Sequence, residues 1–147
     1  MIHWTDSSVE PHDGTMITLN SAAKAIEAGK DKAAQLGIAF TITVVDAGGH
    51  LVALCRMDGA ALGSVEASQS KARTSVMFAT PTRDLAGAVQ PGAPMFGIDS
   101  GFRDPLAFVA GGVPVTDANG TLVGAVGVGG GYPDNDHEVA EAVRAAL

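Results

Sequence analysis

Two turn sequences, each set between β-branched runs, constrain most strongly what this chain can fold into. In the first, residues 40–46 and 50–57 are rich in Thr, Ile, Val and Leu and flank Ala47-Gly48-Gly49. The glycines supply the positive φ angles of a tight turn, so this stretch predicts an antiparallel hairpin.

The second turn sequence is Asp117-Ala118-Asn119-Gly120, in which Asn-Gly is a strong hairpin signal. It lies between the apolar segments 108–115 and 121–128. The sequence therefore predicts a second hairpin late in the chain.

Helical patterns surround the hairpins. One helix is predicted from a Thr18 cap to Gly37, and another from near Ser64 to a point before Pro81. A short helix is expected near residues 82–89, and a terminal helix opens at Pro133.

This order favours a mixed α+β fold, α/β in the broad sense, with a single mostly antiparallel sheet of about five strands flanked by helices. We assign residues 16–147 to one domain and residues 1–15, which are polar and show no periodicity, to a flexible arm. Residues 81–105 hold four prolines and four glycines, which is typical of irregular structure that can wall or cover a pocket.

Charge and hydropathy exclude several partners. The net charge is -7 and no Lys/Arg cluster occurs, so we expect neither nucleic acid nor an anionic membrane as partner. No apolar run approaches the roughly 20 residues that span a bilayer. The first residues lack a signal-peptide pattern and Cys55 is the single cysteine, so we expect a cytoplasmic protein.

The glycine-rich run 124–131 has two interpretations. Gly127 and Gly129 can let a ligand approach the backbone, or they can make room for a packed helix or a second subunit. Nucleotide binding is disfavoured, because these glycines lie within a strand and no Gly-Lys-Ser/Thr follows.

Four histidines occur, at positions 3, 12, 50 and 137, and none has the spacing of a zinc site. His50 begins a strand beside a turn and is the candidate metal ligand, specifically to haem iron, with a locally hydrogen-bonded strand residue as the alternative. His137 is expected at the surface of the last helix, and His3 and His12 lie in the arm.

Cys55 and Met57 alternate on one strand and share a face, so they could lie at the edge of a haem site or simply pack in the core.

A polar cluster marks the ends of the first hairpin. Asp46 and His50 flank the turn, whereas Arg56 and Asp58 lie at the opposite end. Arg56 can clamp a carboxylate, and Asp58 can act as a cap, an acid/base or a partner of Arg56 in an ion pair that orders the junction. The nearby helix adds positive charge at Lys71 and Arg73, which permits an acidic ligand.

These residues also carry a resemblance to a known family. In order and spacing, five segments resemble the GlcG/HbpS-like haem-binding family: Val44 to Ala53, Arg56-Met57-Asp58-Gly59-Ala60, Ser64 to Thr74, Gly111 to Val115 and Gly124 to Gly130. This family includes the C-terminal domain of PduO-type corrinoid adenosyltransferases. The resemblance covers roughly residues 16–147. It implies an antiparallel sheet flanked by helices, homo-oligomers and, in some members, haem binding.

Two functions follow as hypotheses. The first is a cytosolic homo-oligomer that binds haem, a related tetrapyrrole or another small acidic ligand, with His50 on iron and Arg56, Asp58, Gly127 and Gly129 as further contacts. The second is a cofactor-independent isomerase, lyase or hydratase acting on a carboxylated metabolite, with Asp58 or His50 as acid/base and Arg56 as the clamp. A purely structural role in an assembly is a third possibility.

Overall fold

Both predicted hairpins are present in the computed structural model, which describes residues 16–147. The strands are β1 (Thr41–Asp46), β2 (Leu51–Arg56), β3 (Gly112–Thr116) and β4 (Leu122–Gly129), and the helices are α1 (Leu19–Leu36), α2 (Ser64–Phe78), α3 (Thr82–Leu85) and α4 (Pro133–Ala145). The strands form one antiparallel sheet in the order β2-β1-β4-β3.

The mixed α+β class with a helix-flanked antiparallel sheet is confirmed, but the expected count of about five strands is wrong. The two hairpins provide four strands. The connection between α2 and β3 forms α3, two 3-10 turns and bends rather than a fifth strand, as its prolines and glycines dictate. The strand expected from residue 108 begins at Gly112, directly after Gly111 with its φ of 124°.

The same turn chemistry closes both hairpins. In the first, the Asp46 carboxylate accepts the backbone N–H groups of Gly48 and His50, both at 2.9 Å, and Gly49 has a φ of 80°. In the second, the Asp117 carboxylate accepts hydrogen bonds from the backbone N–H groups of Asn119 and Thr121, at 2.8 and 2.9 Å. Gly120 has a φ of 81°, which corresponds to the positive φ of Gly49 in the first turn. Each turn therefore depends on an aspartate as well as on a glycine.

The observed ends of the helices largely match the predicted ones. Thr18 caps α1 through the Ser21 N–H at 3.1 Å, and Gly37 ends this helix with a φ of 68°. The short helix expected at 82–89 consists of α3 followed by a 3-10 turn. The predicted arm, residues 1–15, lies outside the described residues. Among residues 16–147, no helix is long and apolar enough to cross a bilayer.

Helices cover the two faces of the sheet differently. On one face, Ile42 and Val44 pack with α1 and α4 in the main hydrophobic core. On the other, Thr41 and Thr43 are buried under α2, where their hydroxyl groups pair with Ser64 and Ser68 at 2.7 and 2.8 Å. The face of β1 towards α2 thus combines two hydroxyl groups that are satisfied by hydrogen bonds with Val45, which packs against Ala72 and Val76.

Helix α2 lies very close to β4. A Cβ atom placed on Gly127 would come within 1.9 Å of the Ser68 carbonyl oxygen, and one on Gly129 within 3.1 Å of the Ser64 carbonyl oxygen. Helix packing therefore accounts for the small residues of this strand. Because α2 packs mainly across β1, β3 and β4, the corresponding face of the edge strand β2 is left open.

We predict that Gly127→Ala lowers the free energy of unfolding by roughly 1–3 kcal/mol, because the added methyl group must push the α2 backbone away from β4. Urea denaturation measures this. The control is Gly87→Ala, where a Cβ has no atom within 4 Å and φ is not positive. Equal stability of the wild type and Gly127→Ala would contradict the close contact.

Candidate functional site

One hollow among the described residues does not contain the candidate chemistry. It measures about 460 Å³ and lies between the start of α1 and the second hairpin. Asp117 is the one acidic or basic side chain in its lining, and its carboxylate already serves the turn.

A cleft of about 240 Å³ lies between α2 and the β1–β2 hairpin, which we name the hairpin cleft. It results from the displacement of α2 towards β4, and Gln69 and Arg73, one helical turn apart, form its helical wall. The cleft is lined by Thr43, Val45, Gly49, Leu51, Gln69, Arg73 and Asp104. Asp104 comes from the Pro/Gly-rich segment that we expected to wall a pocket.

Arg73 is the charged group of the cleft. Its side chain is 23% exposed, and its Nη1 donates to the Pro105 carbonyl at 3.3 Å. The Asp104 carboxylate is 3.7 Å from the same nitrogen and is itself exposed. The expected positive charge near the hairpin is therefore supplied by Arg73.

Lys71, the other expected cation, is unavailable to a ligand. Its ammonium lies 2.6 Å from the Asp136 carboxylate of α4, and the two side chains are only 5% and 3% exposed. Burial raises the pKa of the Asp136 carboxyl, while the Lys71 ammonium and the Gly131 N–H, at 2.8 Å, oppose this rise. The pair connects the helices on opposite faces of the sheet.

His50 lies at the rim of the hairpin, where its side chain is 81% exposed. Its Nδ1 is 3.3 Å from the Asp46 carboxylate, which the turn N–H groups hold in place. In the described part of the chain, Nε2 has no hydrogen-bond partner and faces away from Asp46.

Arg56 and Asp58 are exposed at the other end of β2, beside a second hollow of about 240 Å³. The Arg56 guanidinium reaches the Ala60 carbonyl at 3.5 Å, and no ion pair joins it to Asp58 within residues 16–147. The suggested Arg56–Asp58 ion pair is therefore wrong. A six-residue strand spans roughly 20 Å, so one chain does not bring His50 together with Arg56 and Asp58 around a small molecule.

The remaining candidates lie in the scaffold. Cys55 and Met57 pack against the core between the sheet and α1, which supports core packing. The expected surface position of His137 is wrong, since its side chain is only 13% exposed and its Nδ1 is buried without a hydrogen-bond partner among the described residues. Burial and the nearby positive charge of Arg83 lower the pKa of His137.

Sequence reasoning missed Gln69, Thr43 and Asp104 as lining residues of the cleft. Gln69 could have been found from its i, i+4 relation to Arg73. Asp104 had no local signal, because its place depends on the path of an irregular segment.

The chain matches the family described as haem degrading protein HbpS-like over residues 17–145. The chain belongs to this HbpS-like family. A 15.0 kDa protein from the dhaT-dhaS intergenic region of Citrobacter freundii is 37% identical over 85% of this chain and 87% of that protein.

Two further comparisons extend the relationship to PduO. The corrinoid adenosyltransferase PduO of Citrobacter freundii is 35% identical over 79% of this chain, which spans about a third of PduO, 34% of its length. The crystal structure of a PduOC:heme complex superposes with a TM-score of 0.84 at 30% identity, covering 90% of this chain and 95% of that one. The resemblance drawn from the motifs is thus confirmed.

Several motif residues of this HbpS-like chain have scaffold roles. Asp46 organises a turn, Gly127 admits α2, and Lys71 pairs with Asp136. His50, Arg56, Asp58 and Arg73 are charged or titratable motif residues that remain accessible around the first hairpin.

We predict that Lys71→Met lowers the free energy of unfolding by about 3–5 kcal/mol, because it leaves the Asp136 carboxylate buried without its cation. The double variant Lys71→Met/Asp136→Leu should regain much of this loss, since it removes both charges, although the Gly131 N–H loses its acceptor. Chemical denaturation measures both effects.

Lys30→Met is the matched control, because Lys30 forms an exposed ion pair with Glu27 at 2.8 Å. It should change stability by no more than about 0.5 kcal/mol. If Lys71→Met were as stable as this control, the buried ion pair would not have the role assigned to it.

Proposed function

We propose that this chain binds haem or a related tetrapyrrole beside the first hairpin, with His50 as the iron ligand, and that it does so as a cytosolic homo-oligomer. The observation that carries the proposal is the position of His50, whose Nδ1 lies 3.3 Å from the Asp46 carboxylate, at ion-pair distance. Metal-ligating histidines typically donate their second ring N–H to a carboxylate, which fixes the tautomer and leaves the other nitrogen free for the metal.

The residues around His50 fit such a group. The ring is exposed, so Nε2 is accessible, and the neighbouring Leu51 presents an exposed apolar side chain. A tetrapyrrole needs apolar contact for its ring and cationic partners for its carboxylates. Leu51 meets the first need, and Arg73, or Arg56 of a second copy paired along β2, meets the second.

The comparisons support the same ligand. The family is described as haem degrading, and the PduOC:heme complex shows that a closely similar fold holds haem. The single cysteine, Cys55, agrees with the cytosolic part of the proposal. The enzyme alternative has less support, because His50 and Asp58 are at opposite ends of β2 and do not form one acid/base site within a chain.

Haem titration followed in the Soret region tests the iron ligand. We expect His50→Ala to weaken haem binding by roughly tenfold or more and to shift the Soret maximum, because a ligand to iron is lost. The control is His137→Gln, since His137 is largely enclosed and lies on α4 rather than at the hairpin. Identical spectra and affinities for the wild type and His50→Ala would remove His50 from this role.

The oligomeric part of the proposal is supported by the open edge of β2. The Met57 N–H donates to the Phe40 carbonyl at 3.0 Å, so by the alternation of an antiparallel ladder the backbone groups of Leu54 and Arg56 point away from β1. Four of the six residues of β2 are Leu, Val or Ala, with no proline or lysine to block pairing. The other edge strand, β3, contains Pro114.

A second copy suits this edge because antiparallel self-pairing would bring Arg56 at one end of the strand towards the Asp46 end of the other copy. We expect Leu54→Lys to halve the molar mass measured by light scattering, since a charge on the edge opposes strand pairing. Thr116→Lys, on the exposed end of β3, should leave the mass unchanged. A monomeric wild type, or an unchanged mass for Leu54→Lys, would contradict pairing through β2.

A further inference from the structure

We propose that the hairpin cleft is a carboxylate-binding subsite in which Arg73 receives the anion and Asp104 competes with it for the guanidinium. This deepens the proposed function where the carboxylate is a haem propionate. The subsite itself does not depend on haem, because a short aliphatic acid presents the same chemistry.

The first argument is the incomplete pairing of Arg73. The Arg73 side chain is 23% exposed, and its guanidinium makes one hydrogen bond, to the Pro105 carbonyl, with the Asp104 carboxylate at 3.7 Å. Among residues 16–147 no carboxylate comes closer. A ligand carboxylate accepting two parallel N–H bonds would satisfy the planar guanidinium better than this arrangement does.

The second argument is the packing of the Arg73 stem. The Arg73 stem lies against the β1–β2 turn, since a Cβ on Gly49 would be 4.0 Å from Arg73 Cγ. Helix α2 is fixed below it by the Thr43–Ser68 hydrogen bond and by the contact with Gly127. Little side-chain freedom is then lost when an anion binds, which favours affinity.

The third argument is the size and character of the cleft. A volume of about 240 Å³ corresponds to roughly eight water molecules at about 30 Å³ each. Such a space accepts a three- or four-carbon acid but not a whole tetrapyrrole. Val45 and Leu51 provide apolar walls for the carbon chain next to the guanidinium.

Arg56 is less suited to this role. It is exposed at the far end of β2, where water solvates the guanidinium and an added anion gains less. The structure therefore favours Arg73 over the arginine singled out from the sequence.

The test compares haemin with haemin dimethyl ester, whose propionates are blocked, and butyrate with neutral butyramide. We expect wild type to bind haemin more tightly than the ester by roughly 10- to 100-fold, the range of a charge-assisted hydrogen-bond pair. Arg73→Gln should lose this preference, and Arg73→Lys should keep part of it, because one ammonium cannot form the two parallel bonds. Butyrate, but not butyramide, should raise the melting temperature of the wild type and not that of Arg73→Gln.

Two further variants keep the test decisive. Asp104→Asn should strengthen haemin and butyrate binding a few-fold, because the carboxylate that competes for Arg73 is removed. This variant can be measured even if Arg73→Gln fails to fold. Arg144→Gln, an exposed arginine on α4 across the sheet, should behave as the wild type.

The outcomes separate the two proposals. If the wild type binds haemin and its ester equally, and butyrate has no effect, the subsite is overturned while haem binding stands. If the wild type does not bind haemin but butyrate stabilises it through Arg73, the haem proposal fails and the subsite stands. Unchanged affinities for Asp104→Asn would overturn the competition between Asp104 and the ligand.

Discussion

The close contact between α2 and the glycine face of β4 determines much of the rest of this structure. Gly127 and Gly112 lie directly against backbone atoms of Ser68 and Lys71, so no side chain separates helix and strand. The helix is thereby drawn towards the β4–β3 half of the sheet. This displacement leaves the α2-side face of β2 uncovered, and the hairpin cleft lies in the remaining space. A structural requirement of one strand thus creates a potential binding surface beside another.

Such a close approach also explains why α2 buries polar groups. The short distance leaves room for hydroxyl pairs, Thr41 with Ser64 and Thr43 with Ser68, where larger apolar side chains would not fit. The long Lys71 side chain passes Gly111 and reaches Asp136 of α4. Each buried polar side chain of α2 is paired, which is the condition under which it does not destabilise the core. Removing one partner of the Lys71–Asp136 pair therefore lowers the free energy of unfolding strongly, even though the pair as a whole contributes little net stability.

These features define what the sequence could and could not predict. Local signals sufficed for the hairpins and helix caps, because Asp-x-x-Gly turns and a Thr18 cap act within a few residues of the chain. Apolar periodicity does not describe the buried face of α2, which includes Ser68 and Lys71, because their partners, the Thr43 hydroxyl and the Asp136 carboxylate, are far away in the sequence. The surface position expected for His137 failed for a similar reason. The hairpin cleft could not be predicted, because its position depends on where α2 lies across the sheet. The sequence around Gln69 and Asp104 contains no signal for that placement.

The distinction between scaffold and accessible residues bears on what family membership implies. Most motif residues of this HbpS-like chain are used by the fold: Asp46 closes a turn, Gly127 admits a helix, and Lys71 connects two layers. A fold can be shared for these reasons alone, whatever its members bind. Arg73 and His50 are different, because the first is poorly paired in a cleft and the second directs a free nitrogen to solvent. These are the two residues to which we assign ligand binding. Their positions at one end of the same hairpin make a ligand with an iron centre and a carboxylate arm a chemically consistent occupant.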